Sequence, residues 1–407
     1  MTWVVAVLRF PFTLEALFVL FLFAGRFKGD ERLAWVPVDL TGLLGALSLA
    51  AGGLVVLRQG QRVPQRGAAV VLLMVAFVAW LVLTLAWSPS AAYGPRKVLY
   101  LATLVLWALA APALLIGPSR ERVARLLVAF VAFGLWTAAE TLQGLLTQGF
   151  GDVLMTFGMD YITLSSTLSI TFITLAVWLL YTPRPGLLRG GAVVLTMGLL
   201  GLIILTGGGR GPILAMVLAL GGLGIAVFVA SSMRADVCHR VRRRVVVAGL
   251  VGVGAMGGLI NWGTPLTTVN RIRIVFTAEG GGASVTDRAE LVAAGLDQWA
   301  ATPVQGGGAG GFAVRHGGVD LRWYPHNLFV EVLAEAGLVG FVLLAALLTV
   351  AVGLAWRRGA VSDPLFSSAF VIFLFALLSA QLSGDLSDNR PLFMAAGLLA
   401  GLASARG

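Results

Sequence analysis

The sequence predicts an all-α polytopic membrane protein with about 12 transmembrane helices and one long ordered loop on its outer face. Three observations predict it. The chain is 58% hydrophobic and only 12% charged over 407 residues, against roughly 25% charge in a soluble domain. Apolar runs close to the roughly 20 residues a helix needs to cross a bilayer recur along its length. One polar gap, residues 263–326, interrupts them. A gap that long is uncommon inside a folded domain unless it is functional or disordered.

The apolar runs fall at about 3–25, 38–57, 68–87, 98–117, 123–143, 161–181, 190–206, 212–231, 245–262, 327–356, 365–383 and 391–405. The first is interrupted by Glu15 and lacks a small-residue cleavage site, so it is expected to be retained rather than removed as a signal peptide. The run 327–356 is too long for one span. Its opening, NLFVEVLAEAG, is expected to lie at the interface before the span proper begins, and Glu331 and Glu335 share one face at i and i+4. No internal repeat is visible, so the chain reads as a single membrane domain, residues 1–407, carrying the 263–326 insert.

Orientation follows from the basic residues. With a cytoplasmic N-terminus, the inner loops and their edges hold 16 arginines and lysines, and the outer short loops hold 7. Long loops carry little weight in this rule, so the five basic residues of the insert are left aside. Both termini are therefore expected in the cytoplasm, and the insert outside, in the periplasm of a Gram-negative inner membrane. The net charge of +10 reads as topology signal plus anion binding, with no nucleic acid expected, because the basic residues sit in short loops between apolar runs. The single cysteine, Cys238, excludes an internal disulfide and a cysteine-based metal cluster.

Within the insert, Val285–Ala301 is expected to be a short helix with Thr286 as N-cap and an apolar side of Leu291, Leu296 and Trp299. QGGGAGGF then breaks it. GGGAGG has no preceding strand and no Lys-Ser/Thr after it, so it is not a nucleotide-binding loop; a turn permitting close backbone packing is the favoured reading. The outer-face acids, among them Asp152, Asp160, Glu279, Asp287, Glu290, Asp320, Asp385 and Asp388, are scattered, and nothing suggests a metal site or a cofactor.

His326 is the sharpest candidate for chemistry, at a loop-to-helix junction beside an apolar run. Histidine titrates near neutrality and can accept a hydroxyl proton; alternatively it caps the helix and satisfies backbone donors. Arg210, in LTGGGRGP, sets a guanidinium against exposed backbone at the outer end of a span, either as a bidentate phosphate ligand or as a snorkelling anchor. Arg288 reads as a solvated charge in the first turn of the loop helix. Arg96 and Lys97, in WSPSAAYGPRKVLY, are a basic pair on the side where an anchor would not be expected, which favours contact with an anion.

The ordered run Arg288, Trp299, Pro303, Gly306 to Gly311, Phe312, then HNLFVEVLAEAGLVG from His326 to Gly340, resembles the signature of the O-antigen ligase and polymerase superfamily. The runs WSPS…YG…RK at 87–97 and GGGRGP at 207–212 are also similar to that family, and together the patches span about residues 85–345. The resemblance implies a GT-C-like, metal-independent inner-membrane glycosyltransferase that works without a cofactor. Its donor would be undecaprenyl pyrophosphate carrying a glycan, its acceptor the lipid A–core oligosaccharide, and its product lipopolysaccharide. It implies His326, Arg288 and Arg210 as catalytic residues, the role of Arg288 resting on the resemblance alone; Arg96, Lys97, Tyr324 and Asn327 are taken as substrate-binding. Two other members of the superfamily, O-antigen polymerase and protein O-oligosaccharyltransferase, fit the same motif. A lipid or glycan transporter is the reading from another class, and the scarcity of charges inside the spans, chiefly Glu15 and Glu140, weighs against it.

Overall fold

The computed structural model describes residues 13–59, 63–148, 159–229, 235–261, 266–277, 283–356 and 360–405. The first part of the 3–25 run lies outside them, as do Arg9, Arg62, Asp152, Arg234, Glu279, Arg357, Arg358, Arg406 and the loop pieces 262–265 and 278–282. The fold is all-helical, 82% helix, with no strand among the described residues. In chain order the helices are α1 (Leu14–Leu22), α2 (Leu40–Gln59), α3 (Gln65–Thr84), α4 (Tyr93–Ile116, with two π-turns), α5 (Arg120–Gln148), α6 (Tyr161–Tyr181), α7 (Leu187–Thr206) and α8 (Arg210–Val229). They continue as α9 (Ala235–Asn261), α10 (Thr267–Thr277), α11 (Ala283–Ala301), α12 (Gly311–Gly317), α13 (Leu328–Ala355), α14 (Pro364–Ala380) and α15 (Arg390–Leu402). Among the described residues, the eight helices α2 to α8 and α13 are long and apolar enough to cross a membrane, and α14 and α15 are shorter apolar helices. The protein is a polytopic membrane protein.

Most boundaries lie within a few residues of the apolar runs, because chain-terminating chemistry sits beside them. Asp160 accepts from the amides of Ile162 and Thr163 to start α6. Arg244 donates to the carbonyls of Leu179, Leu180 and Thr182 at its other end. Two boundaries differ from expectation. Helix α9 starts ten residues before the apolar run, since its basic first half continues the same helix. Helix α11 begins at Ala283, so Thr286 lies inside it rather than capping it, and Arg288 stands in the second turn.

The chain divides into two units. The first is 1–60, 121–277 and 357–375; the second is 61–120, 278–356 and 376–407. In the first, the Phe23 ring stacks on Phe133 at 5.0 Å, and the fully buried Arg26 lies over the Trp136 ring at 4.3 Å while pairing with Glu140 and donating to Thr137 at 2.9 Å. Glu140 also meets Arg32 at 3.1 Å, and Glu15 meets Arg125 at 3.2 Å. Glu15 and Glu140 are thus both paired with arginines of neighbouring segments, as a buried charge requires.

In the second unit, α13 is the central element, and it is broken. Gly337 has φ 65° and ψ −165°, a conformation open essentially to glycine alone. The break interrupts two helical hydrogen bonds, and the glycine loop between α11 and α12 replaces them. The amides of Gly307 and Gly308 donate to the carbonyls of Ala334 and Glu335, each at 2.8 Å, and the amides of Leu338 and Val339 donate to Pro303 and Val304 at 2.9 and 3.2 Å. Two indoles complete the join: Trp80 Nε1 donates to Ala336 at 2.8 Å and Trp87 Nε1 to Gly306 at 3.1 Å. No backbone group freed by the break is left without a partner here, which is why it survives inside an apolar helix. The NLFVEVLAEAG segment ends at this break, so one long apolar run holds two pieces.

Candidate active site at the loop-to-helix junction

His326 sits where the insert turns into α13, and among the described residues it is the one non-glycine residue with positive φ, 58°. Left-handed backbone is uncommon outside glycine and costs free energy, so it persists where the surroundings hold it. Here they do. Pro325 before it is buried. Asn327 after it is the N-cap of α13, its Oδ1 accepting from the Val330 amide at 3.1 Å and its Nδ2 donating to the Gln381 carbonyl at 3.4 Å. The capping role open to His326 thus falls to its neighbour.

The imidazole is half-buried. Its Nδ1 is enclosed and has no hydrogen-bond partner among the described residues. The Tyr324 ring packs on it at 4.5 Å, and the Arg322 guanidinium lies over the Tyr324 ring at 5.6 Å. Residues 322, 324 and 326 thus form a short column. Burial, then the positive charges of Arg288 and Arg322, hold the His326 pKa below the ordinary value of 6.5. Burial also pushes the Tyr324 hydroxyl up to about 12, so it remains a proton donor at neutral pH. A neutral imidazole among arginines, at the surface of an apolar helix bundle, can take a proton from a hydroxyl while the cations hold an anionic group nearby.

The column is held by neighbours in the second unit. Arg322 pairs with Asp388. Asp320 accepts from Ser90 Oγ at 2.5 Å and from the amides of Ala92 and Tyr93 at 2.7 and 3.1 Å, capping the start of α4 from a distant part of the chain. Asp385 and Asp388 close a capping box on a single 3₁₀ turn, and the Tyr93 hydroxyl donates to Asp385 at 2.5 Å.

Arg96 is exposed and open to an anion. Lys97 is not, and here the expectation from position is corrected. Its side chain is 1% exposed, pairs with Glu331, and lies 2.7 Å from Glu335 and 3.2 Å from Asp385. One ammonium enclosed by three carboxyl groups has no opening for a phosphate. Asn327, with both ends of its amide engaged in the cap, likewise serves the fold rather than a substrate. Arg288 is half-buried on α11, close enough to His326 to repel its proton, and makes no hydrogen bond or ion pair among the described residues that would consume its charge. Arg210 belongs to the first unit. It opens α8 and donates to the Arg271 carbonyl at 3.3 Å, while Arg271 donates to Gly208 at 2.9 Å and lies over the Tyr161 ring at 4.9 Å.

Sequence reasoning passed over Arg322 and the Lys97 cluster. The alternation Arg-x-Tyr-x-His over 322–326 was a signal for the first. For the second, only the i, i+4 pair of glutamates was visible, and its cation lies 234 residues away.

A model of the O-antigen ligase family matches residues 192–345. The matched region contains Arg210, Arg288, Tyr324, His326 and Asn327, and lies beyond Arg96 and Lys97. No curated protein matches the chain. Members of this family are glycosyltransferase-like enzymes of O-antigen and glycan processing, with lipid-linked glycans and lipid carriers as their general partners. The junction motif and this match over residues 192–345 together support membership of the O-antigen ligase and polymerase superfamily.

Proposed function

We propose that the protein is an O-antigen ligase of the bacterial inner membrane, joining glycan from undecaprenyl pyrophosphate to lipid A–core oligosaccharide at the periplasmic face. The acceptor hydroxyl oxygen attacks the sugar carbon that bears the pyrophosphate, from the opposite side. The new glycosidic C–O bond forms as the old one breaks, the configuration inverts, and undecaprenyl pyrophosphate leaves. The hydroxyl proton passes to His326. Arg288 is assigned to the pyrophosphate, with Arg322 and exposed Arg96 as supporting cations; Arg210, in the first unit, is kept as a phosphate ligand on the strength of its GGGRGP motif alone. The observation that carries this reading is the placement of the His326 imidazole, half-buried on left-handed backbone, with Tyr324 packed on it and its enclosed Nδ1 unpartnered among the described residues.

Metal independence belongs to the same reading. Arginines take the part that a divalent ion plays elsewhere.

The test is reconstitution of the purified protein with lipid-linked glycan and lipid A–core, followed by detection of joined product with and without EDTA. His326→Asn is the cleaner variant, because asparagine accepts the left-handed backbone that alanine resists. It should bind donor normally and lose roughly 10²–10⁴-fold in transfer. Near-normal transfer by His326→Asn, or activity lost in EDTA and restored by Mg²⁺, overturns the mechanism. Product formed only when a second lipid-linked glycan is the acceptor would make the protein a polymerase.

A further inference from the structure

Residues 319–323 mix tied polar residues with exposed apolar ones. The even-numbered members are tied to helix ends. Asp320 holds the amides at the start of α4, and Arg322 pairs with Asp388 just before α15. The odd-numbered members, Val319, Leu321 and Trp323, are 39%, 67% and 38% exposed. Single exposed apolar residues need no explanation. Three in five residues of a clamped segment are different, because the ties at Asp320 and Arg322 restrict how far the segment can turn inward. Trp323 is further fixed at its edge by His316 at 4.8 Å, and His316 in turn stacks on the fully buried Phe312 at 5.5 Å.

The clamps also define a level. Helix α4 is an apolar helix long enough to span, and Asp320 meets its first turn. Arg322 meets the turn before α15. The segment is therefore held at the ends of apolar helices, where a spanning helix leaves the hydrocarbon. Tryptophan with aliphatic neighbours is the composition favoured at that boundary, the indole facing both the apolar region and the headgroups.

We propose that Val319, Leu321 and Trp323 form a lipid-contacting strip that seats the insert on the bilayer leaflet at this end of α4. A carbohydrate surface is the other candidate for exposed tryptophan. The aliphatic pair favours lipid, since Val319 and Leu321 offer a sugar neither a stacking face nor a hydrogen bond. The proposal rests on the membrane-spanning helices and stands apart from the glycan-transfer reading. It brings the bilayer surface to Tyr324 and His326, which follow directly.

The test uses the full chain in phosphatidylethanolamine–phosphatidylglycerol vesicles, with Cys238→Ser as background and a nitroxide on Leu321→Cys. A label on Glu290→Cys, exposed on α11, serves as the aqueous control. Collision with oxygen is expected to exceed collision with a water-soluble nickel complex at 321, and the reverse is expected at 290. In parallel, brominated lipid should quench less of the emission from Trp323→Phe than from the unsubstituted protein. Nickel accessibility at 321 equal to that at 290, or quenching unaltered by Trp323→Phe, overturns the proposal. A label at 321 that is open to nickel and becomes shielded only when soluble glycan is added overturns it in favour of a sugar-binding surface.

Discussion

His326 and Arg322 are coupled through charge, and the coupling has a sign. Burial and the two arginines disfavour the imidazolium, so His326 stays neutral to lower pH than an ordinary histidine. If it is the base, the acid limb of the transfer rate lies below pH 6.5. Arg322→Gln removes a like charge and leaves Asp388 without its cation. Both changes favour the protonated ring, so the acid limb moves to higher pH, and the plateau rate on the alkaline side falls by what Arg322 contributes as a supporting cation. A pH–rate profile of the two proteins checks this, and an unmoved limb means that another group titrates. In the proposed mechanism Arg288 acts on the substrate as well as on His326. Arg288→Ala is expected to weaken donor binding and turnover together, and Arg288→Lys to recover only part, because an ammonium lacks the planar fork that grips two phosphate oxygens. Donor affinity and single-turnover rates in one detergent separate these effects.

Two elements set where that chemistry stands. The first is the break in α13. Gly337→Ala forces a Cβ into a glycine-only conformation and toward the Val304 carbonyl. The backbone strain alone is on the order of 1–3 kcal/mol. Thermal unfolding in detergent should begin at lower temperature, and the glycine loop, with its four bonds to α13, should become sensitive to protease. The second is the Lys97 cluster, which ties the start of α4 to the first half of α13 and to the 385–388 turn, where Leu386 donates its amide to Glu331 at 3.1 Å. Lys97→Met leaves buried carboxylates without their cation, a loss of about 3–5 kcal/mol for a broken buried pair. Adding Glu331→Gln and Glu335→Gln to Lys97→Met should restore part of the melting temperature, because fewer uncompensated charges remain. A triple variant no more stable than the single one would show that the cluster does not act through its charge.

At the scale of the whole chain, the basic residues of the short loops make a prediction about sidedness. With 16 of them on one face and 7 on the other, Cys238 is expected in the cytoplasm and the loop helix α11 in the periplasm. Cys238 should resist a membrane-impermeant thiol reagent in intact spheroplasts and react once they are permeabilised. Ala300→Cys in a Cys238→Ser background should show the opposite. Labelling of Cys238 in intact spheroplasts overturns this orientation.

Composition and the spacing of apolar runs determined the all-helical membrane fold, and helix boundaries lay close to them, because a bilayer demands long apolar helices whatever they pack against. The excess length of the 327–356 run likewise marked the helix that is broken, at Gly337. Tertiary structure alone decided which charged residues are spent. Arg96 and Lys97 are neighbours in sequence and both basic, yet one is exposed and the other is enclosed by Glu331, Glu335 and Asp385, since successive residues of a helix point in different directions and the partners come from remote segments. Asn327, and not His326, caps α13 for the same kind of reason: the left-handed turn at 326 sets the imidazole against Tyr324 and leaves the cap to the next residue. Local sequence carries propensity and period; whether a charge meets a partner depends on contacts hundreds of residues apart, and those exist only in the folded chain.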